Sequence, residues 1–208
     1  MKKNLRLPVI LLALTVLLAG AYVLYDTLGK NVRTDQLLIH SNAASAESSP
    51  EATPTETFEH ATEAEPEPVV NRAPDFHVFD KDGNAVHLSS FFGKPIVLNF
   101  WASWCGPCRS EMPDFNEKYL ELKDDVHFVM VNATDGGRET VETASKFIEE
   151  NGFAFPVFFD TSLDASMTYG AYSLPTSYFL NAKGEIVAQA VGSIDGATLQ
   201  RGIDMIMD

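Results

Sequence analysis

The sequence predicts an α/β fold, a layered sheet with helices against it, on three observations. Residues 70–208 alternate between short strand-like apolar runs and helix-like stretches, and they close with two strand-like runs and a helix. The only two cysteines of the 208 residues, Cys105 and Cys108, stand where a buried strand-like run, Ile96–Trp101, gives way to a helix-like segment, 109–123. Residues 1–69 differ in composition and stand outside that alternation.

Residues 1–6 carry Lys2, Lys3 and Arg6, and 7–25 are 19 uncharged, mostly apolar residues, the length of a bilayer-crossing helix. Positive charge on the cytoplasmic side places the rest of the chain outside, on a retained anchor. A cleaved signal peptide is the alternative, because Ala19-Gly20-Ala21 fits a small-x-small site, although the apolar run continues to Tyr25. Residues 26–69 read as an acidic linker. Within it, 41–68 hold seven Glu and four Pro with no Lys or Arg, too few apolar groups to offset ordering, so a disordered, extended spacer is expected.

The domain at 70–208 opens with runs at 76–79 and 85–88 around Asp80-Lys81-Asp82-Gly83-Asn84, a hairpin. Asp80-x-Asp82-Gly83 lacks the later ligands of a calcium loop and reads as turn chemistry. Ile96–Trp101 is the central strand, followed by the 109–123 helix, which Pro113 should kink. A second buried strand spans 126–132. A helix follows at 139–151 and ends at Gly152. A short strand at 155–159, a short helix at 164–170, and strands at Thr176–Leu180 and 185–191 precede a last helix at 195–207.

A net charge of −14 without a basic stripe argues against nucleic acid as a partner. The five histidines show no ligand spacing and no second C-x-x-C exists, so no metal and no cofactor is expected.

The C-x-x-C pair carries the chemistry. At a strand–turn–helix junction it can close into a disulfide and reopen, transferring two electrons. Cys105 should sit where unpaired N–H groups and the positive end of the helix dipole favour a thiolate. Pro107 suits the first turn and Gly106 leaves the sulfur uncrowded. Cys105 is therefore the attacking sulfur, and Cys108, one turn in, resolves the mixed disulfide. Glu111, three residues beyond Cys108, lies on nearly the same face. Partial burial would raise its pKa so that it exchanges a proton with Cys108. The alternative is that it only favours the helix's first turns electrostatically. Trp104 should be exposed and contact partners, with Phe100 and Trp101 in or near the core.

The run from Asn99 through Trp104-Cys105-Gly106-Pro107-Cys108 resembles the active-site strand and turn of the thioredoxin superfamily. Ala73-Pro74-Asp75-Phe76, Glu111-Met112-Pro113 and Leu174-Pro175-Thr176 narrow the resemblance to the membrane-anchored TlpA/ResA-like thiol–disulfide oxidoreductases of bacteria, over residues 70–208. The resemblance implies a thioredoxin-like fold with an N-terminal β-hairpin and a central helical insertion before Phe155. It implies a cis Pro175 facing the cysteines, with Leu174 and Thr176 beside it, and a substrate surface made of these three with Trp104, Gly106 and Pro107. Plain thioredoxins carry an aspartate where this chain has Asn99, which cannot ionise; the TlpA/ResA-like branch has a Glu where Glu111 stands. The family implies reduction of protein disulfides, as in cytochrome c maturation, with electrons from a membrane thiol carrier of the CcdA/DsbD type. Two other roles stay open: supplying electrons to a secreted methionine sulfoxide or peroxide reductase, and, outside catalysis, a peptide-binding adaptor or chaperone using the proline groove. A peroxidase is a further enzyme reading, disfavoured by the close second cysteine.

Overall fold

The computed structural model describes residues 37–39 and 71–207. In chain order these form β1 (Leu37–Ile39), β2 (His77–Phe79), β3 (Ala85–His87), a 3₁₀ turn (Leu88–Phe91), β4 (Ile96–Trp101), α1 (Gly106–Leu122), β5 (His127–Asn132), α2 (Val141–Asn151), β6 (Val157–Phe159), α3 (Asp164–Thr168), β7 (Thr176–Leu180), β8 (Ile186–Val191) and α4 (Gly196–Met207). Among the described residues the strands make one sheet, ordered β1-β8-β7-β4-β5-β6-β2-β3. β4, β5 and β6 run parallel; the neighbours on either side are antiparallel. The expected layered α/β architecture and N-terminal hairpin are present. No helix among the described residues is long and apolar enough to cross a membrane. The candidate anchor at 7–25 and the spacer at 41–68 lie outside the described residues.

β4 is central because it can be buried on both faces: all six residues are inaccessible. Alternation sends Val97 and Trp101 to the face covered by Met112 and Phe115 of α1, Ala144 of α2 and Leu199 and Ile203 of α4. Ile96, Leu98 and Phe100 go to the other face, with Val78, Leu88, Ala165 and Tyr169. Asn99 shares the parity of Val97 and Trp101, so the one polar residue of the strand points beneath α1. Phe76, Phe100, Tyr169 and Tyr178 interlock as an aromatic cluster on the opposite face. Tyr178 donates its hydroxyl to the Tyr169 carbonyl at 2.7 Å, and Tyr169 donates to the Pro74 carbonyl at 2.9 Å. These bonds anchor the start of the segment that leads into Leu174-Pro175.

Several boundaries differ from the sequence expectation. α1 starts at Gly106 rather than 109, because Cys105 itself caps it, and it runs through Pro113 to Leu122. α2 begins at Val141 rather than 139: Thr140 is the N-cap and exchanges hydrogen bonds with Thr143, which leaves Glu139 outside the helix. Leu37–Ile39, placed by sequence within the linker, form an edge strand paired with β8, Leu37 opposite Ala190 and Ile39 opposite Ala188. Three apolar residues were too short a run to mark a strand without its partner. The Asp80 loop is a turn: its carboxylate accepts the N–H groups of Asp82 and Asn84 at 2.9 and 2.8 Å.

α4 approaches β7 closely enough that a Cβ on Gly202 would overlap Cε1 and Cζ of the fully buried Phe179 ring. Alanine gains about 1 kcal/mol over glycine in a helix, while overpacking a fixed core costs about 1–3 kcal/mol. Gly202→Ala is expected to destabilise the domain, seen as a lower urea midpoint at unchanged m-value; a raised midpoint would show that Phe179 can move aside.

Candidate active site

The end of β4 delivers the chain into a tight turn, Ala102 to Cys105, closed by the Cys105 N–H on the Ala102 carbonyl at 3.1 Å. Cys105 has extended backbone angles, φ −78° and ψ 109°, and is the N-cap of α1. Its sulfur takes the position that a serine or aspartate oxygen takes in an ordinary cap, accepting the Cys108 N–H at 3.2 Å. The two cysteines are joined as a disulfide. Cys105 keeps 5 % exposure and Cys108 none, so an incoming group meets Cys105 first. Pro107 lies in the first turn of α1, where its missing N–H costs nothing. Beyond its chain neighbours and the α1 backbone, a Cβ on Gly106 would meet nothing within 4 Å, so the helix start is open there.

The expected facing loop is there. The Leu174–Pro175 bond is cis, and the Leu174 carbonyl oxygen lies 3.6 Å from the Cys105 sulfur. The loop is fixed on both sides: the Pro175 carbonyl accepts the Gly192 N–H at 2.9 Å, and the Thr176 hydroxyl donates to the Ser173 carbonyl at 2.6 Å. Trp104 is 41 % exposed beside the pair, with the Arg138 guanidinium 3.7 Å above its ring. The contact between Cys105 and Leu174 brings the Trp104–Cys108 segment and the Leu174–Thr176 loop together at one surface, with Cys108 and Thr176 themselves buried.

Glu111 is buried beneath that surface. One carboxylate oxygen accepts Asn99 Nδ2 at 2.9 Å and the other the Ile194 N–H at 3.0 Å. The same Asn99 nitrogen donates to Ser177 Oγ at 3.0 Å, its register partner on β7. Burial dominates the electrostatics and pushes the Glu111 carboxyl up to about 7, with the nearby Asp114 charge adding and the two hydrogen bonds opposing. A carboxyl that titrates there can take up or release a proton near neutrality.

Sequence reasoning missed a second buried carboxylate, Glu139. It accepts the Ser103 N–H at 2.9 Å, Ser103 Oγ at 2.7 Å and Asn132 Nδ2 at 2.8 Å. The contact joins segments 36 residues apart, and nothing local in a single sequence signals it.

A disulfide at a helix N-terminus, a cis-proline loop against it and a buried acid beneath it define a thioredoxin-fold redox site. Residues 69–189 match the model of the AhpC/TSA family. The chain is 37% identical over 121 residues to the thiol–disulfide oxidoreductase ResA of Bacillus anthracis, covering 58% of this chain and 68% of that one. Among solved structures it resembles a thiol:disulfide interchange protein DsbE from Chlorobium tepidum, with TM-score 0.60 and 32% identity over 67% of this chain and 97% of that one. StoA from Bacillus subtilis gives TM-score 0.54 and 29% identity over 62% and 96%. The chain belongs to the AhpC/TSA family and, within it, to the ResA-like thiol–disulfide oxidoreductases.

The raised Glu111 carboxyl has a stability consequence. Folded protein holds a proton that the unfolded chain, with an ordinary value near 4.5, has released. That contribution is complete below about 4.5 and is lost as pH rises through about 7. In the oxidised form, where the cysteines do not titrate, native protein should lose on the order of 3 kcal/mol relative to Glu111→Gln across that window. Denaturant melts of both at pH 4.5 and 8 check this; parallel pH dependences would refute the shift.

Proposed function

We propose that this protein is an extracytoplasmic reductase of protein disulfides, with apocytochrome c as the substrate type, held on the membrane by residues 7–25. The observation that carries the chemistry is the position of the Cys105 sulfur, which caps α1 and faces the Leu174 carbonyl across the cis-proline loop. In the reduced protein the Cys105 thiolate, favoured by the Cys108 N–H and the start of the helix, attacks one sulfur of a substrate disulfide. The substrate S–S bond breaks as a Cys105–substrate bond forms, and the first substrate thiolate leaves. Cys108 then gives up its proton and attacks the Cys105 sulfur, releasing the second substrate thiolate and closing the pair. Two electrons pass to the substrate, whose thiolates take up two protons.

Glu111 is the acid–base group for Cys108. It lies one turn further along α1, buried, with a carboxyl value near the working pH, so it can receive that proton and return it when the pair is reduced again. The alternative from sequence, a purely electrostatic role at the first turn, is less suited to a carboxyl whose charged form burial disfavours. The substrate chain lies along Leu174, Pro175 and Thr176, with Trp104 and the open surface at Gly106 and Pro107 as the other wall. A membrane thiol carrier of the CcdA/DsbD type recharges the pair. The thiol–disulfide chemistry is supported by the ResA relatives' name as thiol–disulfide oxidoreductases, and the membrane location by the apolar N-terminal run preceded by Lys2, Lys3 and Arg6.

Two experiments test these points. Cys108→Ser in the full chain is expected to accumulate mixed disulfides through Cys105. Apocytochromes and a membrane thiol carrier among the trapped proteins support the proposal; a secreted sulfoxide or peroxide reductase in their place overturns the substrate assignment. Cell fractionation should keep the full-length chain with the membrane, and recovery of a soluble form beginning near Tyr22 would overturn the anchor.

A further inference from the structure

The loop between β5 and α2 places two consecutive residues on the turn that presents Cys105. Arg138 stacks on Trp104, and Glu139, fully buried, takes both the N–H and the hydroxyl of Ser103. The loop is itself preformed. Asp135 accepts the N–H groups of Gly137 and Glu139 at 2.8 and 2.9 Å, and Gly136, at φ 72°, donates its N–H to the Glu139 carbonyl. Asn132 at the end of β5 supplies the third hydrogen bond to the Glu139 carboxylate. Glu139 meets three donors and no cation in these contacts, so what it provides is geometry imposed on Ser103, two residues before the reacting sulfur. A buried carboxylate is expensive to keep, and a plain packing role would be filled more cheaply by an apolar side chain.

We infer that Glu139, with Arg138 beside it, is a positioning residue for thiol–disulfide exchange: the pair clamps Ser103-Trp104 so that Cys105 enters α1 with its sulfur aligned on the Cys108 N–H. This rests on the reading of Cys105 as the attacking thiolate. Releasing the clamp loosens the 102–105 turn, the cap hydrogen bond to sulfur lengthens, and the thiolate loses part of its stabilisation. The clamp acts through hydrogen-bond geometry rather than through charge. A glutamine keeps it, because Oε1 can still accept from Ser103 N–H and Asn132 while Nε2 donates to Ser103 Oγ.

The test measures alkylation of Cys105 at pH 7 by a neutral haloacetamide, located by peptide mass mapping, on the reduced full chain. Glu139→Ala should slow Cys105 by about fivefold to tenfold, with Glu139→Gln restoring most of the rate. Ser103→Ala, which removes one of the three bonds, and Arg138→Ala should each slow it by about twofold to threefold. Glu139→Ala reacting at the native rate overturns the clamp, and Glu139→Gln as slow as alanine overturns its geometric basis. If Glu139→Ala does not fold, Ser103→Ala and Arg138→Ala decide: both at the native rate overturn the inference. A native Cys105 no faster than a free thiol would instead overturn the proposed function, whatever the variants do.

Discussion

The Cys105 sulfur is the cap of a helix and, in the proposed exchange, also the atom that reacts. An ordinary cap satisfies a backbone N–H with a permanent side-chain oxygen. Here the acceptor is a sulfur that can be bonded to Cys108 or set free, so the electrostatics of the α1 terminus act directly on the exchange. Most of the architecture serves to hold that one atom in place. β4 must be buried on both faces to bring the turn to a fixed point, α1 must start exactly one residue later, and the β7 end of the sheet must carry the cis-proline loop to within 3.6 Å of it.

Two carboxylates are buried within reach of this turn, and they differ in kind. Glu111 meets a backbone N–H and one side-chain amide, and its burial wins over those bonds, so it stands near its titration point. Glu139 meets three donors from two segments and ties them together. The proposed proton transfer calls on the first, and the proposed positioning of the turn on the second. The aspartate-to-asparagine exchange at position 99 fits this division: Asn99 donates to Glu111, and the acid sits on the helix rather than in the strand.

The elements whose pattern is local were legible in the sequence. The apolar run of β4, the Asp80 turn and the cysteine spacing each state their structure within a few residues. Trp104 exposed beside the pair and Trp101 buried in the strand were both expected from their places at the turn and before it. The cis-proline loop was legible only through family resemblance, because its partner lies about 70 residues away in the chain. What stayed hidden depends on a distant surface being present first. Leu37–Ile39 are a strand only because β8 offers an edge, and Glu139 reads as a helix start until Ser103 arrives to bind it. Gly202 is likewise uninformative until Phe179 stands against it.

β1 also settles what faces outward at one margin of the sheet. Without it, the amides and carbonyls that alternate residues of β8 turn away from β7 would be unpaired, an edge open to a foreign strand or a second molecule. With β1 in place that stretch of β8 is paired, and the described part of the outermost strand is three residues long. A fragment of the N-terminal region thus works as selvedge, finishing a border that would otherwise lie open.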